Sequence, residues 1–373
     1  MNSKVSVVKC SDYQPARVFD SVKKALENIG GLNCFIRPKS KVLVKPNLLM
    51  AKEPKYAITT HPEVVRSVIR LLKDIDAKIF VGDGPSVWDG HSKNVDEVYE
   101  RTGIKKICSE ENVELVKFDK RRWRGKFPLT TWLDDCDYLV NVPKFKTHTL
   151  TTLTAAIKNL FGLVSDTFKT ELHKNYFGKE DFAKIVVDIF EEAKPSLTIV
   201  DAVSSMHGDG PATSGKVRNT GLILAGSDAV AIDSVLALIM GLEPQDILTN
   251  KEAGRRGLGV TDIKSIEISG EKLEDITGEY FELPVTSMLN SKVPRPIINI
   301  AKKLITYYPC VEDDNCVKCA ACIEICPEKS ISIKDEKIAF DYSKCISCFC
   351  CQENCPNAAI KIKKSLLAKL IGL

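Results

Sequence analysis

The sequence predicts a large α/β domain with a mainly parallel sheet and flanking helices, followed by a small α+β module dense in cysteine. Three observations carry this. Short runs of β-branched residues and leucine recur at 5–8, 42–44, 79–81, 139–142, 197–200 and 222–224, the pattern of strands buried on both faces. Helical patterns lie between them, and strands alternating with helices imply βαβ units. Finally, ten of the fourteen cysteines fall between Cys310 and Cys355.

Two helices illustrate the pattern. Thr60, His61, Pro62 and Glu63 resemble a capping box with an early proline, followed by Val64, Val65, Val68, Ile69, Leu71 and Leu72 at helical spacing. A second helix is expected over 228–240, closed by Gly241. At 373 residues the chain has room for two or three domains. The expected boundaries are an α/β ligand- or substrate-binding domain at 1–270 and a connector at 271–309, interrupted by Pro284, Pro294, Pro296 and Pro309. The cysteine module then spans 310–362, with a short basic helix at 363–373.

Composition narrows the functional classes. Apolar residues at 44 % and charged residues at 27 % are ordinary for a packed globular protein, and a net charge of +4 is too small for a dedicated nucleic-acid binder. That charge is unevenly spread: residues 310–360 hold five lysines and nine acids, whereas 361–373 hold four lysines and no acid. No basic start with an apolar run opens the chain, and no segment reaches the roughly 20 apolar residues of a membrane span. The expectation is a cytoplasmic protein, in oxygen-poor surroundings, whose crowded cysteines bind metal rather than form disulfides.

The cysteine spacing is the most specific signal. Cys316, Cys319, Cys322 and Cys326 precede Pro327, and Cys345, Cys348, Cys351 and Cys355 precede Pro356 at the same intervals. This is the bacterial ferredoxin spacing for two 4Fe-4S clusters, in which the fourth cysteine of each repeat serves the other cluster. One cluster is expected on Cys316, Cys319, Cys322 and Cys355, the other on Cys345, Cys348, Cys351 and Cys326. Cys310 and Cys350 are left over. A zinc reading does not explain the third cysteine and the Cys-Pro of both repeats.

In the large domain, polar motifs follow the predicted strands, where ligands bind in such folds. Lys45 and Asn47 flank Pro46, and Gly82, Asp83, Gly84, Pro85 and Ser86 follow the third strand. Lys144, Lys146 and His148 fall on one side of an extended segment by its period of two and suggest an anionic ligand. Lys158 and Asn159 lead to Gly162, and Asp201 leads to His207 and a second Gly-Asp-Gly-Pro at 208–211. No dinucleotide or P-loop fingerprint is present. A basic run from Lys117 to Lys126 around Trp123 reads as a solvated hairpin or as a dock for an acidic surface.

Taken together, Lys45-Pro46-Asn47, the segments 141–148, 158–162, 201–210 and 228–233, and the double cysteine repeat resemble the family catalogued as domain of unknown function 362, often fused to a ferredoxin module. The resemblance implies an α/β domain with an iron-sulfur partner and names no reaction. The function expected is electron transfer, with a ferredoxin-linked reductase of an anionic small molecule foremost. Lys45, Lys144 and Lys146 would bind its carboxylate or phosphate, and His148 or Lys158 would supply a proton. Asp83 and Asp209 would orient polar groups or a metal, with Asn47, Ser86, Asn159, Asp201 and His207 as further substrate contacts. An electron donor or acceptor protein is the expected partner. A flavin is compatible with such chemistry, but no motif asks for one. The alternatives are a non-enzymatic electron-transfer adaptor and an isomerase or lyase with structural clusters.

Overall fold

The computed structural model describes residues 3–85, 92–165, 168–287 and 306–365, with backbone alone at 92–94. Ser86, His91 and the basic tail at 366–373 lie outside the described residues.

Ten strands form the main sheet. In chain order they begin with β1 (Ser3–Lys9), β2 (Lys41–Pro46), β3 (Lys78–Val81) and β4 (Glu114–Leu115). A separate hairpin follows, β5 (Arg121–Arg124) and β6 (Phe127–Thr130). The sheet resumes with β7 (Tyr138–Val142), β8 (Lys144–His148), β9 (Thr152–Thr154), β10 (Leu197–Gly208), β11 (Gly215–Gly226) and β12 (Ile266–Gly270). The spatial order is β12-β1-β11-β10-β7-β2-β3-β4, with β8 beside β10 and β9 beside β8. Pairing is mainly parallel; β1 with β11, β10 with β11 and β8 with β9 run antiparallel.

Both faces are covered, which explains the unbroken apolar runs. In β2, Val42 and Val44 join the core on one side and Leu43 the core on the other. The first side is closed by Pro15–Asn28 and Pro62–Lys73, the second by Lys179–Ala193 and Ala229–Ile239. The expected capping box at Thr60 does not form. Thr60 Oγ1 donates to Val142 O at 2.7 Å, and His61 caps the helix instead, its Nδ1 accepting from Glu63 N at 3.2 Å. Asp228 caps Ala229–Ile239 by accepting from Val230 N and Ala231 N, and Gly241 closes the next turn at φ 74°.

Strands β10 and β11 are longer than their apolar centres suggest, twelve residues each. Their antiparallel hairpin projects beyond the sheet and carries the second Gly-Asp-Gly-Pro at its tip. There it meets the cysteine module: Thr213 Oγ1 donates to Cys355 O at 2.6 Å, and Gln352 Nε2 donates to Asp209 O at 2.8 Å. The module pairs β13 (Tyr307–Val311) with β16 (Ile360–Lys364) and β14 (Ile331–Lys334) with β15 (Lys337–Phe340), each antiparallel. No helix among the described residues is long and apolar enough to cross a membrane.

Candidate functional site

The cysteine module holds two spaces ringed by thiols. One is lined by Cys316, Cys319, Cys322 and Cys355. The other is lined by Cys326, Cys345, Cys348 and Cys351, with Cys350 outside its lining. Each ring draws its fourth cysteine from the other repeat. The repeats also share detail: Ser330 N donates to Cys326 Sγ at 3.2 Å, and Ala359 N to Cys355 Sγ at 3.3 Å, four residues on in both cases. An N–H aimed at sulfur favours the thiolate that a cluster requires. Four thiols around one space suit a cubane.

A further cavity of about 60 Å³ opens beyond the carboxyl ends of β2 and β3, between the large domain and the module. Its floor comes from the strand ends. Lys146 on β8 donates to Asn47 Oδ1 at 2.7 Å and to Ile58 O at 2.6 Å. That accounts for two of the three ammonium protons. Asn47 Nδ2 donates to Asn159 Oδ1, and Asn159 Nδ2 to Asn141 Oδ1 at 2.8 Å, so three asparagines from separate segments lock one another. Beneath them Lys45 and Asp83 form a buried ion pair at 2.6 Å, and Asp83 Oδ2 accepts from Leu48 N. Gly162 is required here: a Cβ would lie 2.5 Å from Asp83 Oδ1 and 2.8 Å from Lys45 Nζ.

The Ala156–Asn159 helix delivers Lys158. Its free N–H groups at Ala156 and Ile157 donate to the Asp233 carboxylate at 2.8 and 3.0 Å. Lys158 Nζ then lies 4.3 Å from the centre of the Phe161 ring and lines the cavity. Desolvation, reinforced by neighbouring lysines, draws the Lys146 ammonium down to about 7. For Lys158 desolvation outweighs the pull of Glu353 and leaves it at about 8.

His148 is buried, and desolvation first and then Lys158 hold it neutral well below the usual imidazole range. Its Nδ1 accepts from Leu150 N at 3.1 Å, so the neutral ring carries its proton on Nε2. Nε2 faces Glu353 Oε1 at 3.5 Å. Glu353 comes from the module, on the helix Cys350–Glu353 that also carries Cys351. Burial pushes its carboxyl up to about 7 against the pull of Lys158 and Lys146.

The sequence-predicted residues therefore divide. Asn47, Asp83, Lys146, His148, Lys158 and Asn159 line the cavity, with Lys45 directly beneath. Lys144 is turned to Asp201 at 2.9 Å and to Tyr13 Oη at 2.7 Å in a separate buried network. Asp201 also accepts from Tyr13 Oη and from His61 N. His207 accepts from Glu282 N and Asp209 Oδ1 from Val285 N, so both side chains hold the 281–285 segment against the hairpin tip. In the basic run, Arg122 and Arg124 pair with Asp134, and Lys117 pairs with Asp96.

The sequence reading missed Glu353, His173, Lys169 and Thr154, all of which line the cavity. Lys169 and His173 sit four apart on one buried helix face, a spacing that could have marked them. Glu353 lies inside the second cysteine repeat, where the ligand spacing hides it.

The family model described as domain of unknown function (DUF362) matches residues 42–237, and a 4Fe-4S dicluster domain matches residues 308–356. The chain is 31 % identical over 269 residues to thylakoid-associated protein sll1697 of Synechocystis sp., covering 70 % of this chain and 82 % of that protein. It is 35 % identical over 65 residues to ketoisovalerate oxidoreductase subunit VorD of Pyrococcus abyssi, covering 17 % of this chain and 56 % of that protein. The lactate racemase apoprotein from Thermoanaerobacterium thermosaccharolyticum overlays at a TM-score of 0.41 with 13 % identity, over 65 % of this chain and 58 % of that one, a likeness too slight to bear on function. The chain belongs to the DUF362 family and joins that domain to a 4Fe-4S dicluster module.

Proposed function

We propose that the protein is an iron-sulfur oxidoreductase that reduces an anionic small molecule held in the cavity between its two modules. One observation carries the reading: the short helix that bears Cys351 also bears Glu353, which forms a wall of that cavity. A ligand there would sit beside the second cysteine ring.

The two rings, Cys316, Cys319, Cys322, Cys355 and Cys326, Cys345, Cys348, Cys351, would each hold a cubane, which when bound supplies electrons singly at low potential. The chain's own residues do the rest. Lys146, with one proton left for the cavity, and Lys158 bind the anion. His148 offers a hydrogen bond from Nε2 and keeps its proton, because a neutral imidazole is a very weak acid. Lys158, at about 8, is the group matched to giving up a proton near neutral pH. Reduction of an unsaturated bond consumes two electrons and two protons; Lys158 supplies one proton and solvent the other. A partner protein delivers the electrons, as the family's dicluster module implies.

Stopped-flow spectroscopy tests this. Anaerobic protein reduced with dithionite is mixed with a panel of oxo and unsaturated carboxylates, and cluster absorbance is followed. The reading expects reoxidation by at least one of them, slowed about tenfold or more in Lys158→Met. Reoxidation that ignores Lys158→Met and Lys146→Ala would overturn it.

A further inference from the structure

We infer that the cavity selects a short monocarboxylate of two or three carbons that carries one further oxygen, and that His173 reads that oxygen. This rests on the anion-binding reading above and narrows it to a ligand class. Size sets the first limit. The cavity measures about 60 Å³, far below the ~300 Å³ at which pockets enclose cofactor-sized ligands, so a two- or three-carbon acid suits its enclosed part.

Polarity sets the second. Two buried polar atoms of residues that line the cavity, Thr154 Oγ1 and His173 Nδ1, have no hydrogen-bond partner, and Glu353 Oε1 has only the 3.5 Å approach of His148 Nε2. Such atoms are costly unless a ligand or an ordered water meets them, and a ligand in the cavity can do so. Lys146 and Lys158 can both engage a carboxylate, and a further oxygen on the adjacent carbon would give His173 a partner of its own. His173 is 4 % exposed, with its ring flanked by Phe161 at 5.6 Å and Phe182 at 4.5 Å, so its orientation is fixed by packing. An imidazole held between aromatic walls with Nδ1 unpartnered is suited to recognising one hydroxyl or carbonyl. Burial also keeps it neutral, at about 3, so it adds no charge.

The test uses the anaerobically purified full chain, with thermal unfolding and calorimetry against acetate, glycolate, pyruvate, inorganic phosphate and citrate. Glycolate or pyruvate should bind at least about tenfold more tightly than acetate, the factor expected of one buried hydrogen bond, and citrate should not bind. His173→Phe should erase the preference over acetate without changing iron content; His173→Asn, which keeps a polar atom, should retain part of it. Citrate binding as tightly as glycolate, or a preference over acetate that survives His173→Phe, overturns the size limit or the role of His173. Binding of phosphate alone, lost in Lys158→Met, overturns the carboxylate class and leaves the anion site standing. No response to any anion overturns both.

Discussion

His148 Nε2 and Glu353 Oε1 stand 3.5 Å apart, one on β8 of the large domain and the other on the helix that carries Cys351. The contact joins the cavity to a cysteine ring through two residues. It also explains why the module is seated where it is, with Gln352 donating to Asp209 O and Thr213 donating to Cys355 O on either side. The hairpin of β10 and β11 thus acts as a bracket for the wall that Glu353 completes.

The two lysines of β8 separate by their surroundings. Lys144 is buried against Asp201 and Tyr13, whereas Lys146 reaches the cavity. Lys146→Ala should weaken carboxylate binding about tenfold to a hundredfold, the loss of one charge-assisted contact. Lys144→Ala should leave affinity within about twofold yet destabilise the fold by roughly 3 kcal/mol or more, because Asp201 is left buried without its counter-charge. Calorimetry and urea unfolding of both variants check this, and equal effects on binding would show that the two lysines share one site.

Anion binding should weaken as pH rises. The ammonium groups of Lys146 and Lys158 sit at about 7 and about 8, below their ordinary 10.5, so both lose their protons across the neutral range. Affinity should fall between about pH 7 and pH 9, and binding near pH 8 should take up protons. The unliganded fold has the opposite slope. Its lysines bind fewer protons than the unfolded chain between about pH 8 and 10.5, so in that window they add stability as pH rises. Calorimetry in buffers of different ionisation enthalpy measures the proton uptake, and a flat affinity profile would contradict it.

Cluster assignment is separable from all of this. Protein prepared without oxygen should hold about eight iron and eight sulfide per chain. Cys351→Ser should lose about half the iron and Cys350→Ser none, since Cys350 lies outside the ring of Cys326, Cys345, Cys348 and Cys351. Iron analysis that gives the reverse would shift the ligand register by one residue.

Asp233 shapes the site from behind. It is buried and accepts from Ala156 N and Ile157 N, and burial raises its carboxyl to about 7. Asp233→Ala should destabilise the fold by about 1–3 kcal/mol through two orphaned N–H groups and loosen the helix that presents Lys158. Asp233→Asn, which can accept only one of the two bonds, should fall between the variant and the parent in urea midpoint and in carboxylate affinity.

Much of this was legible beforehand, for identifiable reasons. The parallel sheet showed because strands such as β2 are buried on both faces and read as continuous apolar runs. Lys146, His148 and Lys158 could be nominated because motifs at strand ends are where such folds bind ligands. The fate of Lys144 could not, because the period of two gives the side of a strand and not the partner waiting there; Asp201 meets it from the neighbouring β10. Glu353 was invisible for a different reason. Its role depends on how the module docks, and that is fixed by long-range contacts such as Gln352 to Asp209 that no local pattern encodes.

Electron paramagnetic resonance of the dithionite-reduced protein, with and without saturating glycolate, tests most directly whether a ligand in the cavity sits beside the second cysteine ring. Glycolate should change the signal of the cluster on Cys326, Cys345, Cys348 and Cys351 while that on Cys316, Cys319, Cys322 and Cys355 stays as it was, and Lys158→Met should abolish the change. Spectra that stay identical while calorimetry shows glycolate bound in a Lys158-dependent manner would contradict the account.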